Sequence, residues 1–330
     1  MIICDIINQT FTDLTFLYKR LLRVLIFIFF KKSPDFPIFF QIQTINQCNG
    51  SCDMCPMRFN KGKKTKKISN ELFENIIREI SAEGGIRHIV LHLQNEPLLD
   101  NDIFRKIQLI RRIGKGHITT FFATNGSLFS KEKLSQLVDS GLDELVISLD
   151  ACSEESYNKI RKGLNFNIVL KNIKMISKSK YDGNLSVGFV KQKENIMELN
   201  DFEKMCKKMK INKKVSKICN RSGDLDDFEN YRIKKKNMSI YERISSYLMK
   251  RVIKVCPFTI NWMTILHNGD VIVCCNDYRK KIIIGNLNKS TIKEIWKNKR
   301  LEKIRLLQLQ KKYKEISICK KCSFFDMIFN

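Results

Sequence analysis

The stretch Asn46-Gln47-Cys48-Asn49-Gly50-Ser51-Cys52-Asp53-Met54-Cys55-Pro56 packs three thiols into eight residues, with no fourth cysteine close by in the chain. A structural zinc site takes four protein ligands, and a plain cubane iron–sulfur cluster is held by four cysteines. Three thiols in one loop therefore make an incomplete cage, with one metal position left for something exchangeable. On the thiols alone, a zinc knuckle or a purely structural cluster is the competing reading.

The rest of the composition narrows the class. With 330 residues, 43% of them hydrophobic, the chain can bury a large core. Twelve cysteines without an export signal point to the reducing cytoplasm and to metal ligation rather than a disulfide scaffold. Cys4, Cys152, Cys206 and Cys219 fall outside any ligand spacing and read as small buried hydrophobes. His88, His92, His117 and His267 have no metal-like spacing either. A formal net charge of +26 suggests a polyanionic partner, but Lys dominates over Arg alongside abundant Asn, Ile and Phe, the composition of an AT-rich genome. The basic runs at 61–67 and 234–236 fall in expected loops, so nucleic acid is not the expected partner.

Residues 1–35 stand apart. Leu14, Leu17, Leu21, Leu25 and Ile28 recur at helical spacing, flanked and interrupted by Lys19, Arg20, Arg23, Lys31 and Lys32. The apolar run 24–30 is far below the ~20 residues that span a bilayer, and no small-residue cleavage site follows it. Two readings stay open: a helix packed on the catalytic domain or a partner, or an interfacial helix on the inner membrane leaflet.

From residue 36 onward, strand-like runs at 36–45, 87–93, 118–123, 144–149, 185–190 and 214–218 alternate with helical segments. These helices fall at 102–113, 131–140, 154–160, 168–177 and 197–209, plus one capped by Ser69 with the stripe Leu72, Ile76, Ile77, Ile80. Such alternation predicts an α/β fold with a parallel sheet and chemistry at the C-terminal strand ends. Residues 221–253 read as a charged linker with a helix at 239–249. Asn268-Gly269 marks a hairpin between apolar runs 262–266 and 271–275. Cys256 precedes the hairpin, Cys274 ends it, and Cys319-Lys320-Lys321-Cys322 follows. Strand alternation turns Cys274 and Cys275 to opposite faces, leaving Cys256, Cys274, Cys319 and Cys322 as four ligands, enough for a cluster or for zinc.

The spacing Cys48-x3-Cys52-x2-Cys55 resembles the signature of the radical S-adenosylmethionine (SAM) enzymes. The resemblance implies a [4Fe-4S] cluster on these three thiolates, chelated at its fourth iron by SAM, whose reductive cleavage yields a 5'-deoxyadenosyl radical. Other segments match the same family. Gln94-Asn95-Glu96-Pro97 resembles its Gly-Gly-Glu-Pro segment, which places Glu96 at the SAM amino group although both glycines are replaced. Thr124-Asn125-Gly126 ends the third strand as in many members. Ser148 and Asp150, on one side of the fourth strand by alternation, match residues at the ribose hydroxyls and the SAM carboxylate. Arg161 matches an arginine that pairs with that carboxylate, and Met54 stands where an aromatic residue packs on adenine.

The C-terminal cysteines resemble the shortened "twitch" form of the SPASM domain, which implies a second, auxiliary [4Fe-4S] cluster. The whole then reads as a partial (β/α)6 barrel over 36–220, the linker 221–253 and a small α+β twitch/SPASM-like domain over 254–330. The resemblance implies a reductant such as a flavodoxin or ferredoxin. It also implies net oxidation of a small polar, alcohol or sugar-like substrate, with the auxiliary cluster as electron acceptor. A peptide- or protein-modifying maturase is the alternative within the family. A non-enzymatic metal-binding module tethering nucleic acid or a membrane is the alternative outside it, and a SAM pocket at Glu96 and Ser148–Asp150 would be superfluous there.

Overall fold

The computed structural model describes residues 14–60, 64–233 and 255–323. After helix α1 (Leu14–Phe30) come six strands: β1 (Phe39–Ile42), β2 (Arg87–Val90), β3 (Ile118–Thr124), β4 (Glu144–Ser148), β5 (Asn184–Lys191) and β6 (Asn212–Lys217). They pair in parallel, each with the next. The connecting helices are α2 (Asn70–Ala82), α3 (Ile103–Gly114), α4 (Lys131–Ser140), α5 (Glu154–Ile160), α6 (Phe166–Ser177) and α7 (Leu199–Met209). Parallel crossovers are right-handed almost without exception, so strands laid down in sequential order receive their helices on one face. The other face is left to form an interior.

The helices start where short polar side chains satisfy their orphan amides. Ser69 accepts from Leu72 N, Ser130 from Lys133 N, Ser153 from Ser156 N and Asn165 from Ile168 N, each cap contributing about 1 kcal/mol. In α2 the expected stripe is buried, and Phe73 joins it. Each such side chain adds roughly 1.5–3 kcal/mol by leaving water.

Pairing register and alternation divide the sheet chemically. One face carries Phe122 and Phe189, whose rings pack on Phe104 of α3 and Phe202 of α7. The opposite face carries Gln41, Glu144, Ser148, Ser186, Lys214 and Ser216. Except for half-buried Ser148, these polar residues are at most 4% exposed. Lys214 and Glu144 form an ion pair there.

The C-terminal segment extends the barrel's own sheet. Its hairpin forms as the Asn268-Gly269 signal predicts, with β7 (Trp262–Ile265) antiparallel to β8 (Asp270–Ile272), and β9 (Ile283–Asn286) follows. Yet β7 also pairs in parallel with β1, giving one nine-stranded sheet in the order β6-β5-β4-β3-β2-β1-β7-β8-β9. The rings of Phe39 and Trp262 stack across this junction at 4.1 Å and 3°. Strand β8 stops at Ile272, so Cys274 and Cys275 lie in the turn beyond it. The alternation argument that set them on opposite faces does not apply. The first strand is also shorter than the 36–45 run: it spans Phe39–Ile42, and Ile45 makes an isolated antiparallel bridge with Lys67 instead. The helix expected at 239–249 lies outside the described residues.

Helix α1 packs on the protein through Val24 and Phe27, which cluster with Val255, Ile260, Leu306 and Leu309. Arg20 lies over the Phe39 ring at 5.0 Å, and Arg23 donates to the Phe36 carbonyl. These contacts set the helix at the N-terminal ends of β1 and β7. The packed-helix reading holds for this one face.

The Glu144–Lys214 pair gives a test of the interior. Glu144→Gln should lower the unfolding free energy by about 3–5 kcal/mol, because it leaves a buried ammonium without its counter-charge. The double change Glu144→Leu, Lys214→Met should recover most of that loss in urea denaturation, and equal losses in both variants would contradict the assignment.

Candidate active site

The cysteine loop leaves the C-terminal end of β1 and is held by main-chain bonds from two later segments. Gln47 O accepts from Glu96 N (2.8 Å), Ser51 N donates to Lys162 O (2.7 Å) and Asp53 N to Ile160 O (3.1 Å). Cys52 is buried, while Cys48 and Cys55 are half-buried. Burial raises the Cys48 thiol, and the charges of Glu96, Cys52 and Cys55 raise it further. Cys52 is pushed up to about 11 by burial, against the pull of Arg161, whose Nη1 lies 3.7 Å from the sulfur. Thiols raised in this way become ligands only when a metal displaces their protons. Among the described residues no three His, Cys, Asp or Glu side chains converge closely enough to hold a single ion. The donor set nevertheless fits an iron–sulfur cluster, with three thiols at one mouth and a guanidinium against one of them.

Glu96 is 2% exposed. Its carboxylate accepts from Thr124 Oγ1 (2.6 Å), Leu98 N (3.0 Å) and Asn125 N (2.8 Å). Burial raises this carboxyl despite those three bonds. Asn125 donates in turn to Asn49 in the cysteine loop (2.8 Å). The ends of β2 and β3 thus tie directly to the thiols.

Asp150 and Arg161 meet as a buried pair at 2.5 Å. Asp150 has φ +61°, a left-handed conformation rare outside glycine and a local strain. The turn lets its second oxygen accept from Val190 N (2.7 Å), while its own carbonyl accepts from Asn195 Nδ2 (2.8 Å). Both carboxylate oxygens therefore have partners inside the protein. The Arg161 Nε is buried with no hydrogen-bond partner among the described residues. Half-buried Ser148 pairs with Gly188 across the ladder on the interior face. Met54 sits in an apolar cluster with Cys52, Ile160, Val190, Ile218 and Leu225.

Two further residues, Gln94 and Arg221, bond to the turn that follows Cys274; the motif gave Gln94 no role, and Arg221 belongs to no motif. Gln94, in place of a glycine, is 2% exposed and donates to Asp277 O at 3.1 Å, linking the barrel to the C-terminal segment. Arg221, just after β6, and the next residue, Ser222, both have positive φ, +49° and +57°. The Arg221 guanidinium contacts Asn276 Oδ1 (3.4 Å) and the Tyr278 ring (5.6 Å), and its Nε is buried with no hydrogen-bond partner among the described residues. The nearest acid in the chain, Asp224, is taken by Arg279 and Lys281. The charge of Arg221 acts most on Cys219, and also on Tyr278, Cys55 and Cys275.

The second cysteine set gathers around the turn after β8. Cys275 draws the Cys274 thiol down by a hydrogen bond, but burial and the charges of Cys256 and Cys322 leave it raised. Cys319 is pushed up to about 12 by burial and by Cys322, against a bond from Gln308. Gln308, on α11 (Lys299–Leu309, preceded by α8 at Phe228–Tyr231, α9 at Pro257–Asn261 and α10 at Ile292–Trp296), accepts from Cys256 N (3.3 Å) and Thr259 Oγ1 (2.9 Å). One amide thereby spans Cys256 and Cys319. Asn220 clasps the closing turn through Lys321 O and Ser323 N. Neither Gln308 nor Asn220 belongs to a spacing that the sequence could flag.

Comparison with known proteins agrees with this geometry. A family profile described as the radical SAM superfamily matches residues 42–206, half of the chain, and one described as an iron–sulfur cluster-binding (SPASM) domain matches residues 256–323. The S-adenosyl-L-methionine-dependent 2-deoxy-scyllo-inosamine dehydrogenase of Niallia circulans is 20% identical over 284 residues, 86% of this chain and 91% of the relative. The fold is similar to that of BtrN in complex with AdoMet and 2-DOIA, with TM-score 0.61, 17% identity and coverage of 88% of this chain and 94% of that one. It is also similar to Streptococcus suis SuiB bound to the precursor peptide SuiA, with TM-score 0.64, 17% identity and coverage of 82% and 67%. The chain belongs to the radical SAM superfamily and carries a SPASM-type iron–sulfur cluster-binding domain at its C-terminal end.

Proposed function

We propose that this radical SAM enzyme oxidises a small polar, hydroxyl-bearing substrate, with Cys48, Cys52 and Cys55 holding the SAM-binding [4Fe-4S] cluster. Cys256, Cys274, Cys319 and Cys322 would hold an auxiliary cluster that takes up the electron left by the oxidation. The observation that carries the reading is the shared mouth, where Gln94 and Arg221 reach from the barrel to the turn bearing Cys274. The similarity to a dehydrogenase over nearly the whole of both chains supports oxidation rather than peptide maturation.

When bound, the cluster and SAM together supply a carbon-centred radical able to remove a hydrogen atom from carbon. The residues of this chain bind and orient. Glu96, fixed by its three donors, would present negative charge to the SAM ammonium. Asp150 locks Arg161 in place, and the unpartnered Nε would donate to the SAM carboxylate. On the interior face and its rim, Gln41 Oε1, Thr44 Oγ1, Ser186 Oγ, Ser216 Oγ and Gln192 Nε2 are buried with no hydrogen-bond partner among the described residues. Unpaired buried polar groups are costly, and a hydroxyl-rich ligand would satisfy them. The surrounding burial keeps bulk water from the reacting atoms.

Asp150→Asn should remove the counter-charge that fixes Arg161. It is expected to raise the Kd for SAM by roughly ten- to a hundredfold, as losing a bond to a charged group worth about 1.5–3 kcal/mol would, with iron content unchanged. Anaerobic equilibrium dialysis measures this, and an unaltered Kd would place the SAM carboxylate elsewhere.

The double change Cys319→Ala, Cys322→Ala should leave about half of the iron and sulfide. It should abolish the oxidised product yet spare SAM cleavage. Product formation by this variant would rule out the electron-acceptor role.

A further inference from the structure

Helix α1 is amphipathic in the reverse sense for a helix packed on a globular domain. Its cations Arg20 and Arg23 turn inward, onto the Phe39 ring and the Phe36 carbonyl, beside buried Val24 and Phe27. Its outward face carries Tyr18, Leu22 and Phe29 at i, i+4 and i+11, one stripe of an α-helix, with half-buried Leu25 at i+7 and exposed Leu21 beside them. Tyr18, Leu21, Leu22, Phe29 and Phe30 are 63%, 47%, 38%, 74% and 77% exposed. They are five of the ten large hydrophobic side chains left exposed among the described residues. A contiguous exposed apolar surface of this kind marks an interaction site.

We propose that this face docks on an anionic phospholipid bilayer, with α1 lying in the plane of the interface. The charges around the stripe select this occupant. Leu14–Phe30 contains no acidic residue, and Lys31 and Lys32 follow the helix directly, both exposed beside Phe29 and Phe30. Alongside it, α11 packs Leu306 against the Val24–Phe27 cluster and presents Lys299 and Lys303 from the same face, at a groove of about 370 Å³. The one acid in that groove, Glu302, is taken by Ser33 and Arg305. Apolar and aromatic side chains rimmed by lysine match the interfacial zone of an anionic membrane. A second copy of the chain would instead set lysine against lysine. At 17 residues with internal cations, α1 is too short to cross.

The placement leaves the chemistry accessible. The helix sits at the N-terminal ends of β1 and β7, whereas the cysteine loop leaves the C-terminal end of β1. A docked molecule would therefore face solution with its mouth open.

Flotation of the full reconstituted chain with phosphatidylcholine vesicles, with and without phosphatidylglycerol, tests this. The expected result is at least about tenfold more protein floated by the anionic vesicles, reduced by raised salt. Phe29→Ser, Phe30→Ser should cut flotation about tenfold, and Lys31→Glu, Lys32→Glu should do the same, with SAM cleavage unchanged in both. Failure of the parent chain to float with anionic vesicles, or flotation of both variants at the parental level, overturns the proposal. So does a shift from dimer to monomer in the Phe variant by sedimentation, which would assign the face to a second copy.

Discussion

The parallel pairing of β1 with β7 is the constraint on which the rest of the molecule depends. β1 already pairs with β2 on its other side and delivers the Cys48–Cys55 loop from its C-terminal end. By also accepting β7, it fixes the hairpin and the turn carrying Cys274 to the same sheet as the barrel. Four ladder positions and the Phe39–Trp262 stack therefore set the relation between two groups of thiols that are distant in the chain. Gln94 and Arg221 cross this junction at the mouth.

The interior of the sheet is built against local stability. A run of buried polar side chains, several with atoms that find no hydrogen-bond partner among the described residues, lines the face opposite the helices. Natural proteins leave buried polar groups unsatisfied mainly where a ligand or water completes them. The same site holds thiols raised by burial and the strained backbone of Asp150, Arg221 and Ser222. The helix face, by contrast, is packed with apolar side chains and capped helices. Apolar packing thus lies on one side of the sheet and buried polar groups on the other, the arrangement expected where strain is concentrated at a functional site.

Local features were legible in the sequence where a local cause determines them. Helices α4 and α5 match their expected limits residue for residue, because Ser130 and Ser153 cap their starts and Gly141 ends α4 with φ +70°. The cysteine spacings and the Asn268-Gly269 hairpin were equally readable. Pairing of β7 with β1 was not, since no local signal names a partner so far away in the chain. The apolar stripe of α1 was visible, but not its orientation: Val24 and Phe27 are buried while Leu21 is exposed. Arg221, Gln308 and Asn220 act as single residues at tertiary junctions, and no spacing announces them. The partner of Asp150 was likewise hidden, because its left-handed turn sends the carboxylate to Val190 and Arg161 rather than along the strand direction.

The central claim is that the Cys48, Cys52 and Cys55 thiols hold the group that cleaves SAM. Anaerobic reconstitution, reduction with dithionite and quantification of 5'-deoxyadenosine measure it directly, comparing the parent chain with Cys48→Ala, Cys52→Ala, Cys55→Ala. The account predicts 5'-deoxyadenosine from the parent and none above background from the triple variant, with its far-UV circular dichroism unchanged. Undiminished 5'-deoxyadenosine from a folded triple variant would contradict it.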